Sequence, residues 1–294
     1  MQQVHPIELA DGSHTAITIF RDGASASAPL LLLFPAMGVE ASYYQPFAEH
    51  LAQRDWIVVT ADLRGLGRSS VRPRRGVDFG YETMLELDYR GIFAAIERQF
   101  SQRPLYVMGH SLGGQLASLY LSRHRMAVAG LILIASCSVH YSGWTGWERW
   151  RLRLGFLLFP LLAGAWGYFP GDLVGFGGRA GRRQILDWCQ QGRSGQYHLA
   201  GSTFDYERAL GTLILPVLAI AIEDDPLAPI PAIQNLYRKL HPDGSVQQKV
   251  LTRALAQSPR LNHFNWARRG AATAQLIREW QMGLAPNPPG EPSV

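Results

Sequence analysis

The stretch L-Y-V-M-G-H-S-L-G-G at residues 105–114 is the part of the chain that decides the fold. It reads as an apolar strand that leads through G-x-S-x-G into a helix predicted over 112–123. A turn from strand to helix this sharp leaves almost no room for side chains at Gly109 and Gly113, and it lifts Ser111 clear of the sheet edge. The pattern therefore predicts a nucleophilic serine, the alternative being a tight glycine turn with an idle serine.

Short apolar runs alternate with amphipathic stretches along much of the remaining chain. Continuous apolar strands separated by helices imply βαβ crossovers, and hence a mainly parallel sheet covered on both faces. Strands are predicted at residues 30–34, 56–61, 105–108, 131–135, 217–222 and 248–252. Helices are predicted at residues 42–54 (with Ser42 as N-cap), 81–100, 112–123, 229–240 and 267–282. The fold class is therefore predicted to be α/β.

Residues 140–211 break this rhythm, because they hold five of the eight tryptophans and many glycines. They are interpreted as a mostly helical insertion between core segments 1–139 and 212–283, with a disordered tail at 284–294. The uncharged run 154–171 is long enough to be a marginal membrane-spanning candidate. A span there would separate the two halves of the sheet, so a buried or lid-forming helical hairpin is favoured.

The composition excludes several classes of protein. A chain of 294 residues with 47% hydrophobic and 17% charged residues can bury a full core, which argues against disorder. Two cysteines, Cys137 and Cys189, are too few for a disulfide framework or a cysteine-rich zinc site. The net charge of +5 comes from scattered arginines rather than a nucleic-acid-binding module. The first residues lack the features of a signal peptide, so a cytoplasmic location is expected.

Three further stretches carry a resemblance to a known superfamily. P-A-M-G at 35–38 follows the first buried strand, D-L-R-G-L-G-R-S occupies 62–69, and N-H-F comes late in the chain. With the serine turn, they resemble the α/β-hydrolase superfamily over nearly the whole chain, most closely a bacterial group of hydrolases related to serine aminopeptidases and lysophospholipases. The resemblance implies an α/β-hydrolase fold, with a mostly parallel eight-stranded sheet, helices on both faces and a helical cap insertion.

The superfamily order of catalytic residues is serine, then an acid, then histidine. The acid of the relatives maps onto Asp225 in A-I-E-D-D-P-L-A-P, with Asp224 as its neighbour, and capping of the next helix is the alternative role of this acidic cluster. Of the two histidines downstream, His241 ends a predicted helix, whereas His263 lies in the loop where the superfamily places its base. The resemblance therefore implies Ser111, Asp225 and His263 as the catalytic residues.

An oxyanion hole of two backbone N–H groups is also implied. Leu112 offers one N–H at the start of the helix behind Ser111. The second maps onto Met37, although P-A at 35–36 stands where relatives usually have His-Gly. No metal or organic cofactor is required by this chemistry.

The tryptophans at the start of the insertion recur every three residues. As a set above an active site they favour an apolar acyl or aromatic pocket, with Trp144 and Trp147 as substrate-binding residues. Core packing is the alternative for any one of them. Arginines at 149, 151 and 153 leave contact with anionic lipid head groups as a further alternative.

The expected function is hydrolysis of carboxylic esters with small to medium apolar acyl groups through an acyl-enzyme. An aminopeptidase or amidase with the same triad, a cofactor-free haloperoxidase or acyltransferase, and a non-catalytic binding protein are the alternatives. The expected partner is a small-molecule ester, with no nucleic acid and no stable membrane span. A homodimer is left open.

Overall fold

The computed structural model describes residues 2–284, and its centre is one eight-stranded sheet. The strands are β1 Gln2–Glu8, β2 His14–Phe20, β3 Leu30–Phe34, β4 Ile57–Ala61, β5 Leu105–His110, β6 Gly130–Ile134, β7 Phe169–Pro170, β8 Arg179–Ala180, β9 Val217–Ile222 and β10 Val246–Leu251. The strand order in the sheet is β1-β2-β4-β3-β5-β6-β9-β10, in which β1 and β2 pair antiparallel, as do β2 and β4, and the other pairs are parallel. A separate antiparallel pair consists of β7 and β8.

The central strands β3, β4, β6 and β9 are buried along their whole length, which is why they are continuous apolar runs. The predicted strands at 30–34 and 217–222 are confirmed at both ends. The two N-terminal strands were not predicted. In β1 the sequence Q-Q-V-H-P-I-E is mostly polar and contains a proline, which only an edge strand tolerates.

Helices cover this sheet, and most lie where the sequence predicts them. The α-helices are α1 Gln45–Ala52, α2 Tyr81–Thr83, α3 Arg90–Phe100, α4 Leu112–His124, α5 Gly146–Trp166, α6 Gly171–Val174, α7 Arg182–Ser194, α8 Tyr206–Leu210, α9 Ile230–Tyr237 and α10 Ala271–Leu284. A π-helical stretch, Met84–Tyr89, joins α2 to α3, so the predicted helix over 81–100 is continuous but not regular.

Two predicted helix starts are wrong. The Ser42 N-cap is replaced by a 3₁₀ turn, Ala41–Tyr44, and α1 begins after Tyr44 with Pro46 in its first turn, where proline fits without loss of a hydrogen bond. The last helix begins at Ala271 rather than 267, because a second 3₁₀ turn precedes it.

The cap insertion predicted over 140–211 contains α5, α6, α7, α8, β7 and β8. Its uncharged run forms most of α5 and then a short strand rather than a helical hairpin, because Gly167 ends the helix in the left-handed conformation with φ 81°. No helix within residues 2–284 is both long and apolar enough to cross a membrane. The carboxylate of Asp187 in α7 accepts hydrogen bonds from the N–H groups of Tyr81 and Ala200, each at 2.8 Å, which ties this region to the core.

The first residue of the predicted tail, Leu284, is the last residue of α10. The rest of the predicted tail, 285–294, lies outside the described residues. The boundaries of the cap at 140 and 211 stay a prediction.

Candidate active site

The turn between β5 and α4 holds Ser111 in a backbone conformation that non-glycine residues rarely adopt, with φ 51° and ψ −116°. A Cβ atom at Gly109 would lie 2.2 Å from the backbone of Gly114, and one at Gly113 would lie 2.5 Å from the carbonyl oxygen of Phe34. Neither clash can be relieved by a side-chain rotation, because the obstructing atoms are backbone. Packing therefore requires glycine on both sides of this serine.

His263 and Asp225 form a buried pair that comes from two separate loops. Asp225 follows β9, and His263 precedes the 3₁₀ turn Asn265–Arg269. The distance from His263 Nδ1 to Asp225 Oδ2 is 2.7 Å, and Asp225 Oδ1 accepts a hydrogen bond from the Leu227 N–H at 2.9 Å. With Nδ1–H donating to the carboxylate, the Nε2 atom of the imidazole can accept a proton.

The neighbouring acid, Asp224, is held differently. Its backbone has φ 55°, its side chain is 70% exposed, and its carboxylate pairs with Arg253 at 3.0 Å. Asp225, in contrast, has a fully buried side chain. The structure thus brings Asp225, and not Asp224, into contact with His263.

Ser111 and His263 line the same cavity, whose volume is about 210 Å³. Met37 and Leu112, the residues expected to supply oxyanion N–H groups, line it as well. Asp225 lies behind His263 and does not reach the cavity wall. Four of the five residues predicted for the chemistry therefore line one cavity, and the fifth, Asp225, contacts His263 from behind.

The N–H groups of Met37 and Leu112 are both available to a ligand. Within residues 2–284, neither N–H donates a hydrogen bond to another protein group. The Leu112 N–H lies at the N-terminus of α4, where the helix dipole favours negative charge. Next to Met37, a Cβ atom at Gly38 would lie 2.4 Å from the carbonyl oxygen of Gly177, so the loop also packs tightly against the cap.

The cap contributes one of its two predicted substrate-binding tryptophans. Trp144 lines the cavity, and its indole Nε1–H donates to the carbonyl oxygen of Pro226 at 2.8 Å. Trp147 does not line the cavity, and its side chain is 73% exposed. The reason is that Trp144 precedes Thr145, the N-cap of α5, in extended backbone, so the three-residue spacing does not continue along one helix face.

Sequence reasoning missed several residues of the cavity wall. Glu148 and Arg151, on the first turns of α5, line it as an ion pair 2.7 Å apart. Their (i, i+3) spacing predicts that the two side chains pair, but it does not predict that the pair faces the cavity. The other unpredicted side chains of the wall include Gln115, Cys137, Leu152, Phe176 and Trp188.

A buried hydrogen-bonded chain links the loop of Met37 to the serine turn. The Ala36 N–H donates to Tyr44 Oη at 2.9 Å, and Tyr44 Oη lies 2.7 Å from Nδ1 of His110, the residue before Ser111. Burial raises the pKa of Tyr44, and burial together with the adjacent His263 lowers the pKa of His110 well below its usual range. The tyrosine hydroxyl therefore donates to a neutral imidazole, and His110 is a structural link rather than a base.

The loop at 62–69 supports the site from outside the cavity. The carboxylate of Asp62 accepts hydrogen bonds from the N–H groups of Ala41 and Arg68, at 2.9 and 3.0 Å. Arg64 forms a buried ion pair with Asp88, and burial, opposed by this arginine, raises the pKa of Asp88 to about 6. Neither Asp62 nor Arg64 lines the cavity of Ser111, so they fix the loop.

A larger cavity, of about 930 Å³, lies between α1 and α10. It is lined mainly by polar and charged side chains, such as Arg54, Arg268 and Arg278. None of the predicted site residues lines it, so its size does not make it the reaction site.

Comparison with known protein families gives one match. A family model described as "Serine aminopeptidase, S33" matches residues 25–165, just under half of the chain. No curated protein sequence is significantly similar to the chain.

Several solved structures share the fold at low sequence identity. A bacterial membrane phospholipase A aligns with a TM-score of 0.66 and 22% identity, covering 96% of this chain and 86% of that protein. A thermophilic esterase from Thermogutta terrifontis gives 0.59 and 18%, covering 96% and 99% of the two chains. A haloalkane dehalogenase variant from Bradyrhizobium elkanii gives 0.63 and 14%, covering 97% of each.

The sheet order, the strained serine turn and these matches define the fold. The chain has the α/β-hydrolase fold. Over residues 25–165 it is similar to the serine aminopeptidase S33 family, and together these findings support a hydrolase.

Proposed function

We propose that the protein is a serine hydrolase that cleaves carboxylic esters of small to medium apolar acyl groups. The observation that carries the proposal is the meeting of Ser111, in its strained turn, and the buried Asp225–His263 pair at one cavity. A serine hydroxyl is a weak nucleophile until a base takes its proton, and this arrangement supplies both the base and the acid that orients it.

The reaction follows from the positions of these groups. Ser111 Oγ attacks the acyl carbon while His263 Nε2 takes its proton, and Asp225 holds the imidazole in the required tautomer. The tetrahedral oxyanion accepts hydrogen bonds from the N–H groups of Met37 and Leu112, each worth roughly 3 kcal/mol in the transition state. His263 then protonates the leaving alcohol, which leaves an acyl-enzyme. Water activated by His263 attacks the acyl-enzyme, and the carboxylic acid is released.

The size and lining of the cavity support a short apolar acyl group. Its volume of about 210 Å³ is below the ~300 Å³ at which pockets for drug-sized ligands begin. Leu152, Phe176 and Trp188 contribute apolar side chains to its wall. An acyl chain that fills this space gains about 0.8 kcal/mol per buried methylene, so the rate is expected to rise with chain length until the cavity is full.

An aminopeptidase is the second candidate, and Glu148 is the observation that favours it. A carboxylate in the cavity wall is the group that would bind the free ammonium of a peptide. The Glu148 carboxylate already pairs through Oε2 with Arg151 at 2.7 Å, however, so its charge is partly neutralised before an ammonium binds. The ester reaction needs no ammonium site.

The two candidates are separated by a panel of substrates. We expect p-nitrophenyl butyrate or hexanoate to be cleaved with a higher kcat/KM than acetate, by about tenfold for two added carbons, and aminoacyl anilides to be cleaved slowly or not at all. Ser111→Ala is the control for background hydrolysis. Rapid anilide turnover that Glu148→Gln abolishes, with weak ester turnover at every chain length, would replace the esterase proposal with the aminopeptidase.

A further inference from the structure

The outward face of α5 carries an exposed apolar surface, which we call the outward stripe. Its residues are between 45% and 73% exposed. Their spacing confines them to a sector about 100° wide along four turns of helix. The outward stripe consists of Trp147, Trp150, Leu154, Leu157, Leu158 and Leu161.

The opposite face of α5 is already packed against the protein. Phe156 and Ala163 are buried, and the Phe156 ring lies 5.0 Å from the ring of Trp188 in α7. Phe159 contacts Phe169 with ring centroids 4.9 Å apart. The helix is therefore apolar on both sides, although only one side is needed for the fold. A helix of that kind normally has a second apolar surface to contact.

Arginines flank the outward stripe. By helical spacing Arg151 lies on one margin and Arg153 on the other, with Arg149 beyond it, and all three are exposed. The guanidinium groups of Arg149 and Arg153 lie over the ring of Tyr141 at 5.2 and 5.0 Å. The one acid of α5, Glu148, is paired with Arg151. The surface is thus apolar along its centre, with the guanidinium groups of Arg149 and Arg153 beside one edge and the Arg151–Glu148 ion pair at the other.

We propose that the outward stripe docks on the surface of a phospholipid bilayer that contains anionic lipid. Tryptophan and leucine side chains favour the boundary between head groups and acyl chains, and guanidinium groups pair with lipid phosphates. A second copy of this chain fits the surface less well. Self-association would bring two sets of arginines together, and the acid on this helix is already paired.

The docked orientation also places the cavity mouth close to the lipid. Glu148, Arg151 and Leu152 belong to the same turns of α5 as the start of the outward stripe, and all three line the cavity of Ser111. If the proposed ester hydrolysis holds, an acyl substrate can enter from the membrane without crossing bulk water. This consequence rests on the proposed function, whereas the docking itself does not.

The test measures binding in the absence of turnover. Full-length Ser111→Ala is sedimented with vesicles of phosphatidylcholine alone, or of phosphatidylcholine mixed with phosphatidylglycerol. We expect binding to the mixed vesicles, weakened by salt and reduced about fivefold for each arginine replaced in Arg149→Gln and Arg153→Gln. The double variant Leu157→Ser/Leu161→Ser should bind about tenfold more weakly or less.

A matched control uses two apolar residues of similar exposure outside α5. Ile214 and Leu255 are 59% and 54% exposed, so Ile214→Ser/Leu255→Ser removes a comparable apolar area without touching the outward stripe. This control should bind vesicles like the parent. With Ser111 restored, hydrolysis of a soluble short ester should be the same in both double variants, which shows that each is folded and separates this proposal from the proposed function.

Three results would overturn the docking proposal. One is no binding to the anionic vesicles, and another is equal loss of binding in the two double variants. The third is a concentration-dependent dimer, detected by light scattering, that only Leu157→Ser/Leu161→Ser abolishes, because the outward stripe would then contact a second copy.

Discussion

The serine turn and the cap helix α5 are built in opposite ways. At the turn, Gly109 and Gly113 have backbone atoms within 2.5 Å of where a side chain would begin, and Ser111 holds a positive φ. Along α5, side chains of the outward face contact little, and a Cβ atom at Gly164 would meet nothing within 4 Å. The serine turn thus rests on backbone packing that leaves no room for an added side chain. The outer surface of α5, in contrast, can vary at little cost to the fold.

The largest expected effect is a difference in kcat between replacement of Asp225 and replacement of its neighbour Asp224. Asp225→Asn should lower kcat by about 10⁴-fold, because an amide cannot hold the His263 imidazole in the required tautomer. Asp224→Asn should change kcat less than about twofold, since its exposed carboxylate pairs with Arg253 at the surface. Steady-state kinetics on a short p-nitrophenyl ester measures both. The reverse ranking would place the catalytic acid at 224.

Replacing one glycine by alanine in each region should change the stability of the protein in opposite directions. Gly113→Ala should cost several kcal/mol of stability or prevent folding, because its Cβ would lie 2.5 Å from the Phe34 carbonyl oxygen. Gly164→Ala, inside α5 and open to solvent, should stabilise the protein by about 0.5–1 kcal/mol. Denaturant unfolding measures both changes. Similar free energies of unfolding for the two variants would contradict the contrast between the regions.

A smaller effect is expected at Tyr44, which joins the loop of Met37 to the serine turn. Tyr44→Phe removes the hydroxyl that pairs the Ala36 N–H with His110, so the loop loses its fixed position and kcat should fall about tenfold with KM changed little. Tyr43→Phe, on the same 3₁₀ turn, is the matched control and should leave kcat unchanged. A rise in KM with constant kcat would show that Tyr44 acts on substrate binding instead.

The sequence predicts the turn better than the cap, and the reason is physical. The strand at 30–34 and the G-x-S-x-G turn can both be recognised from a few consecutive residues. Burial on both faces requires a continuous apolar run in the strand, and the lack of room beside Ser111 requires glycine in the turn. The direction of Trp147 depends on where α5 begins and what it packs against, which no local pattern records. The same holds for Glu148, whose place in the cavity wall was not predicted.

The central claim is that Ser111 is an activated nucleophile, and covalent labelling tests it most directly. The protein is treated with a fluorophosphonate, digested, and the labelled peptide is identified by mass spectrometry, with Ser111→Ala treated in parallel. We expect rapid labelling at Ser111 alone and none in the variant, since among residues 2–284 Ser111 is the serine that lines the cavity of His263 and the two free N–H groups. Labelling of Ser111→Ala at the rate of the parent would contradict it.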